Sequence, residues 1–259
     1  MTVYHRIIIP FTQLLVVCSL GAQNRPLSQM YELPAFSEKP LFYSAYTVQF
    51  NTKTNTPDWV AWRFDNTRLP NSNVTLIRGK FQKDENLVNS PTHDDYTNTS
   101  YTRGHMCPAR DCTLPGLWRE SFLMSNVCPQ KQVLNGGRWG RLEDKCFSWI
   151  QNGIFNSLYI ICGPIPDEIE TIIGPPERRI IVPKRFFKAI VAEKKNGDMQ
   201  GIAIIMNQEG KCEEPLSIDR LERLIHLDLF TNIPLRKQRR IEKMEPSIHD
   251  WPDLYIVFL

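Results

Sequence analysis

The sequence has 259 residues, 42% hydrophobic, 23% charged and 10% aromatic, which excludes a disordered chain, a collagen, a coiled-coil rod and a polytopic membrane protein. The net charge of +3 at neutral pH is too mild to announce a polyanion binder, so any such site must come from local clustering. No period of roughly 20–50 residues recurs, against a solenoid or propeller, and the chain is long enough to bury a sizeable core without staples.

At the N-terminus, His5 and Arg6 precede the apolar run from Ile7 to Cys18, and small residues follow at Ser19, Gly21 and Ala22. This is the layout of an export signal cleaved after Ala22, giving residues 1–22 as signal peptide and a secreted or periplasmic product. The run is broken by Pro10 and Gln13 and falls short of the roughly 20 residues of a membrane span, so no span remains after cleavage. Acylation at Cys18 is the weaker alternative, because Val17 is bulky for such a site. Cleavage leaves thirty basic against 28 acidic residues, a net charge of +2, and six cysteines: Cys107, Cys112, Cys128, Cys146, Cys162 and Cys212. An even number in an exported chain predicts at least one disulfide, with the pairing open. Zinc on His105, Cys107 and Cys112 competes, but no second Cys-x-x-Cys or His pair follows at finger spacing.

Residues 23–41 carry Pro26, Pro34 and Pro40 and read as an extended lead-in to a single domain over 42–259. Tyr43 to Phe50 and Trp59 to Phe64 are rich in aromatic and β-branched residues and predict a hairpin across the turn 51–57. The polar stretch 65–100 reads as a long surface loop, a common home of function. After Leu134 the period changes: Trp139, Leu142, Cys146, Trp149 and Ile150 make one stripe of a helix opened by Asn135 and ending near Gly153. Leu158 to Cys162 predicts a buried strand closed by Gly163-Pro164. Ile180 to Val182, Phe186 to Ala192 and Ile202 to Met206 predict further strands, the last two a hairpin about Asn196-Gly197-Asp198. Ser217 caps a helix bearing Leu221, Leu224, Ile225 and Leu229. Strands and helices mix without βαβ alternation, which predicts an α+β fold with a mainly antiparallel sheet and packed helices. The basic groups Arg178-Arg179, Lys184-Arg185-Lys188 and Arg236 to Lys243, each taken alone, read as solvated faces.

Chemistry concentrates in Tyr101-Thr102-Arg103-Gly104-His105-Met106-Cys107-Pro108-Ala109-Arg110-Asp111. Histidine is the side chain best suited to general-base work near neutral pH. Arg103, two residues earlier on an extended segment, shares its face and can grip a phosphate bidentately, and Gly104 allows close approach. Further on, the amide oxygen of Asn135 is a hard neutral ligand suited to Mg²⁺. Glu143, eight residues later and about 80° round a helix, is placed to hold a metal-bound water. Taken singly, each has an ordinary reading: core histidine, surface arginine, helix cap, solvated acid.

Taken together, these stretches resemble the DNA/RNA non-specific endonucleases of the ββα-metal group, a family that includes mitochondrial endonuclease G and secreted bacterial nucleases. Thr102-Arg103-Gly104-His105 followed by small residues resembles the family's Asp-Arg-Gly-His motif. Ser125-Asn126, Pro129-Gln130, Leu134-Asn135, Trp139 and Leu142-Glu143 match its second motif in order and spacing. Asp58 to Trp62, Cys162-Gly163-Pro164, Val182 to Lys188, and Leu221-Glu222 through Phe230 extend the resemblance over most of the mature chain.

The resemblance implies a ββα-metal active-site motif and hydrolysis of DNA and RNA with little sequence preference, leaving 5′-phosphates. Mg²⁺ would be the cofactor, with Mn²⁺ as a substitute. His105 would be the general base, Asn135 the direct metal ligand, Glu143 the holder of a metal water, Asn126 an orienting residue and Arg103 a phosphate contact. Arg78, with Phe81 and Asp84, is the counterpart of an upstream transition-state arginine, with Lys80 as the alternative register. Two departures stand out: Thr102 replaces the usual Asp, and Arg110 stands where a small residue is common and adds a phosphate contact. The competing readings are a catalytically weakened nucleic-acid-binding relative, which Thr102 favours, and a Cys-His hydrolase using Cys107 or Cys128 with His105. The oligomeric state is left open.

Overall fold

A computed structural model describes residues 25–70 and 79–259. The expected export signal, Cys18 and Arg78 therefore lie outside the described residues. In chain order the strands are β1 (Leu41–Phe42), β2 (Thr47–Asn51), β3 (Thr56–Asp65), β4 (Thr102–His105), β5 (Val127–Gln130), β6 (Ser157–Pro164), β7 (Ile169–Ile173), β8 (Ile180–Pro183), β9 (Arg185–Glu193) and β10 (Met199–Asn207). The α-helices are α1 (Pro115–Ser121), α2 (Gly140–Gln151), α3 (Ile218–Ile225), α4 (Leu235–Glu242) and α5 (Tyr255–Phe258).

Six strands form one sheet in the order β1-β2-β3-β6-β9-β10, with every pair antiparallel. The α+β reading holds, and both predicted hairpins form: Val48 faces Val60, and Ile202 faces Ile190. Successive side chains of a strand point to opposite faces, and here both faces are covered. Trp62, Phe64, Leu158, Ile160, Phe186 and Ile190 pack with Leu142, Cys146 and Trp149 of α2 on one side. Trp59, Ala61, Tyr159, Ile161, Phe187 and Val191 pack with Leu221 and Ile225 of α3 and Ile241 of α4 on the other. Burial on both faces is why β6, β9 and β10 read as near-continuous apolar runs rather than as alternating ones.

Two local readings change. The helix does not begin at Asn135: a wide turn over Leu134–Trp139 comes first, broken at Gly137 (φ −103°, ψ −118°), and α2 starts at Gly140. The stripe from Trp139 to Ile150 is nonetheless buried as its period requires. Ser217 caps α3, accepting the Arg220 N–H at 3.3 Å, yet Leu224 is 39% exposed, on the helix's outer side, and the helix ends at Ile225, leaving Leu229 beyond it. The basic residues Arg236 to Arg240 lie on α4, which packs through Ile241 on the α3 side of the sheet, away from α2. The lead-in is tied to the body: Ala35 N–H donates to Asp228 C=O at 2.7 Å, and Leu33 C=O accepts from Thr231 N–H at 3.0 Å.

Candidate active site

β4 and β5 pair antiparallel beside the α2 face, Gly104 opposite Cys128 and His105 opposite Val127. Gly104 is needed for room, because a Cβ there would strike the buried Gln130 side chain. The chain then turns through Leu134–Trp139 into α2, so two strands and a helix converge on one cleft of about 290 Å³. Its walls include His105, Ala109, Arg110, Gly136, Gly137 and Glu143.

His105 is held by aromatic rings. Phe81 lies 4.8 Å from it between centroids, and Phe122 meets it edge-on at 5.0 Å. Its Nε2 is buried without a hydrogen-bond partner. This desolvation lowers its pKa to about 4, because removing water penalises the charged imidazolium. The ring is therefore neutral at neutral pH, the form that can accept a proton.

Asn126 does not reach the cleft. It is fully buried, its Oδ1 accepting the Cys107 N–H at 2.8 Å and its Nδ2 donating to the carbonyls of Cys107 (2.8 Å) and Ser121 (2.9 Å). One side chain thus pins the backbone just beyond His105. Asn135 stands next to the cleft-lining glycines. Its Nδ2 donates to Thr102 Oγ1 at 2.9 Å, and that hydroxyl donates to Gln130 C=O at 2.8 Å. The amide's hydrogens are thereby turned towards β4, which frees Oδ1 as an acceptor.

Glu143, on the first turn of α2, is 16% exposed at its side chain, and its Oε1 lacks a hydrogen-bond partner. Burial raises its pKa, while Lys188 and Arg110 oppose the rise. Behind it, Lys188 Nζ lies 3.6 Å from Glu143 Oε1 and 4.3 Å from the Trp139 ring centroid. Asp111 accepts the Trp62 indole N–H at 3.0 Å, and burial pushes its pKa up to about 7.

The arginines are less free than the sequence suggests. Arg103 Nε and Nη2 both donate to His93 C=O, at 3.1 and 2.5 Å, its guanidinium lies 5.5 Å from the Tyr96 ring, and it is not among the cleft's walls. Arg110 does line the cleft, ion-paired to Asp144 and 4.8 Å from the Phe147 ring. Lys80 is exposed, one residue from the Phe81 that packs on His105. Among the other basic groups, Arg178 is bonded to Asp95, and Arg185 pairs with Glu168 and Glu213.

A thiol nucleophile does not fit. Cys107 and Cys128 are buried, and burial raises both thiols well above their ordinary range, so neither offers a thiolate to His105. The six described cysteines carry no disulfide; the Sγ atoms of Cys107 and Cys112 stand 3.5 Å apart. The donor set suits a hard divalent cation: Asn135 Oδ1 and the carboxylate of Glu143 are oxygen donors, the latter lining the cleft while its buried Oε1 faces Lys188. A second acidic group, Glu222, Asp228 and Glu242, lies with α3 and α4, on the other side of the sheet.

Sequence reasoning missed Phe122 and Asp111 as site residues and left Lys188 with a surface cluster. The signal for Lys188 was present: a single charge inside Phe186-Phe187-Lys188-Ala189-Ile190, where a strand has no wet side.

Comparison with known proteins places the chain in a family. Residues 28–235 match the family described as DNA/RNA non-specific endonuclease. A nuclease from Nostoc sp. is 29% identical over 215 residues, covering 76% of this chain and 75% of that one. A nuclease from Serratia marcescens is 25% identical over 213 residues, covering 79% of each. The mitochondrial nuclease EXOG of Danio rerio is 29% identical over 177 residues, 63% of this chain but only 50% of its own length. Among solved structures, that of the EndoG/EndoGI complex superposes with a TM-score of 0.69 at 22% identity, over 80% of this chain and 91% of that one.

Proposed function

The chain belongs to the DNA/RNA non-specific endonuclease family, and from that premise we propose that it is an exported, Mg²⁺-dependent phosphodiesterase that cuts DNA and RNA internally and leaves 5′-phosphates. The observation that carries this reading is the cleft lined both by a neutral His105, whose buried Nε2 lacks a hydrogen-bond partner, and by Glu143, whose carboxylate is ion-paired from behind by Lys188.

His105 accepts the proton of a water that attacks phosphorus in line, a contribution typically worth about 10²–10⁴-fold in rate. Asn126 keeps the His105 backbone in register with β5. Asn135 Oδ1 would hold the metal directly, and Glu143 would hold one of its waters. The bound cation supplies electrostatic stabilisation of the charge that builds on phosphate and leaving oxygen. Arg110, at the cleft wall, contacts a phosphate oxygen. Arg103 does so only by giving up a bond to His93, and Arg78 is retained as the transition-state arginine on sequence grounds. Contacts of this kind address phosphates common to all sequences, which accounts for low sequence preference. Among the described residues no helix is long and apolar enough to cross a membrane, and export rests on the N-terminal pattern. An oxidising destination would allow a disulfide, for which Cys107 and Cys112, their Sγ atoms 3.5 Å apart, are the candidates.

The test is digestion of supercoiled plasmid and of RNA with and without Mg²⁺, followed by end-group analysis. Cleavage of both substrates, abolished by chelation, is expected. Metal-independent cleavage, or retention of nucleic acid without cleavage, would overturn the reading, the second in favour of a binding protein of the same fold.

A further inference from the structure

Lys188 is an anomaly for stability. It sits on β9 in the sheet interior, with Cys162 of β6 and Ile204 of β10 as its register partners, and is 1% exposed. A buried ammonium is costly unless it is paired, and well-packed apolar residues in place of a buried pair are often neutral or stabilising. Among the described residues, the one carboxylate within ion-pair distance is Glu143, at 3.6 Å. Two indoles bracket the ammonium, Trp139 at 4.3 Å and Trp62 at 5.8 Å from their ring centroids, a contact that attracts a cation to the ring face. The Trp62 indole is itself fixed by its N–H bond to Asp111, the residue after the cleft-lining Arg110. The lysine is therefore anchored by two rings and paired with the acid that lines the same cleft as His105.

We infer that Lys188 is the positioning residue for Glu143: its buried ammonium, fixed between Trp139 and Trp62, holds the Glu143 carboxylate at the wall of the His105 cleft. Lys188 touches neither substrate nor solvent, so its effect passes entirely through Glu143. The inference rests on the metal-site reading above. Partners that orient the groups around a metal are typically worth about 10–100-fold in affinity or activity.

The experiment measures Mn²⁺ binding by electron paramagnetic resonance on the full mature chain, for wild type, Glu143→Gln, Lys188→Met and the double variant, with folding followed by circular dichroism. Lys188→Met should weaken Mn²⁺ binding about 10–100-fold. On the Glu143→Gln background the same substitution should cost nothing further, because the carboxylate it serves is gone. In plasmid cleavage, kcat should fall with KM for DNA unchanged. Wild-type Mn²⁺ affinity in folded Lys188→Met, or the same loss on both backgrounds, overturns the inference and leaves the metal site standing. If Lys188→Met does not fold, the double variant against Glu143→Gln decides: equal affinities support the inference, a further loss overturns it. A wild type that binds no Mn²⁺ overturns the metal reading, and this inference with it.

Discussion

Asn126 offers the sharpest separation between holding the site and doing its chemistry. Truncation to Ala removes the partners of three buried backbone groups: the Cys107 N–H, the Cys107 carbonyl and the Ser121 carbonyl. At about 1 kcal/mol net for each bond the loss is about 3 kcal/mol, rising towards 5 if the orphaned groups find no water. For a domain of this size 3 kcal/mol lowers Tm by roughly 6–12 °C. The effect on catalysis has a different route. Cys107 lies two residues beyond His105, so relaxation of this loop displaces the imidazole, and a misplacement of about 1 Å costs on the order of 10²-fold. Asn126→Asp should fare no better at neutral pH, since it keeps the acceptor for Cys107 N–H but sets a carboxylate against two carbonyls. The assay pairs calorimetric melting with plasmid-cleavage rates measured well below the variant's Tm. A folded Asn126→Ala with Tm within about 2 °C of wild type and an unchanged rate would refute the reasoning.

His105→Ala should lose about 10²–10⁴-fold in rate at every Mg²⁺ concentration, whereas Asn135→Ala should recover partly as Mg²⁺ is raised, by mass action on a weakened site. A wild-type rate for folded His105→Ala contradicts the mechanism. Because desolvation lowers the His105 pKa to about 4, and a nearby cation pushes in the same direction, the basic form persists well below pH 6. The acid limb of kcat/KM should lie beneath the ordinary histidine range, and a midpoint at or above 6.5 would count against that environment. Arg110→Ala should slow cleavage of all sequences alike; a changed sequence preference at undiminished rate excludes the phosphate contact. Alkylation of the denatured, unreduced protein from its native host should leave Cys107 and Cys112 unlabelled, and labelling of both would rule out their pairing.

What could be read from the sequence followed what local pattern encodes. The α2 stripe from Trp139 to Ile150 and the β9–β10 hairpin are short-range periodicities, and they appear where the period puts them. The β7–β8 pair was only half visible: Ile180 to Val182 reads as a strand, while Ile169–Ile173, with a half-exposed face and Glu170 among its isoleucines, carries no clean alternation. The start of α2 was misread because Asn135 is a good cap residue, whereas the break comes from Gly137, whose backbone leaves the helical region. Of the site, the spacing from His105 to Glu143 was legible, since motif residues keep their order in sequence. The second rank was not. Phe122 edge-on to His105, Asp111 on Trp62 and Lys188 behind Glu143 come from distant segments and meet only in three dimensions.

Thr102 shows how a departure from the family's pattern can be weighed by hydrogen-bond accounting. An aspartate at this position would offer only acceptors. A threonine hydroxyl has one hydrogen to give, and here it goes to the Gln130 carbonyl at 2.8 Å. The lone pairs that remain face Asn135, so the amide must present Nδ2, as its 2.9 Å bond does, and Oδ1 is left for a cation. Orientation of the proposed ligand is thus set by a neutral relay across β4 and β5. What the substitution removes is a unit of negative charge beside the proposed site for a divalent ion, leaving at the cleft the carboxylates of Glu143, balanced by Lys188, and of Asp144, balanced by Arg110. The two roles of the missing carboxylate therefore separate: geometry is kept and attraction is reduced. That combination argues for a working site with a weaker hold on its metal, and against a scaffold that has lost its chemistry.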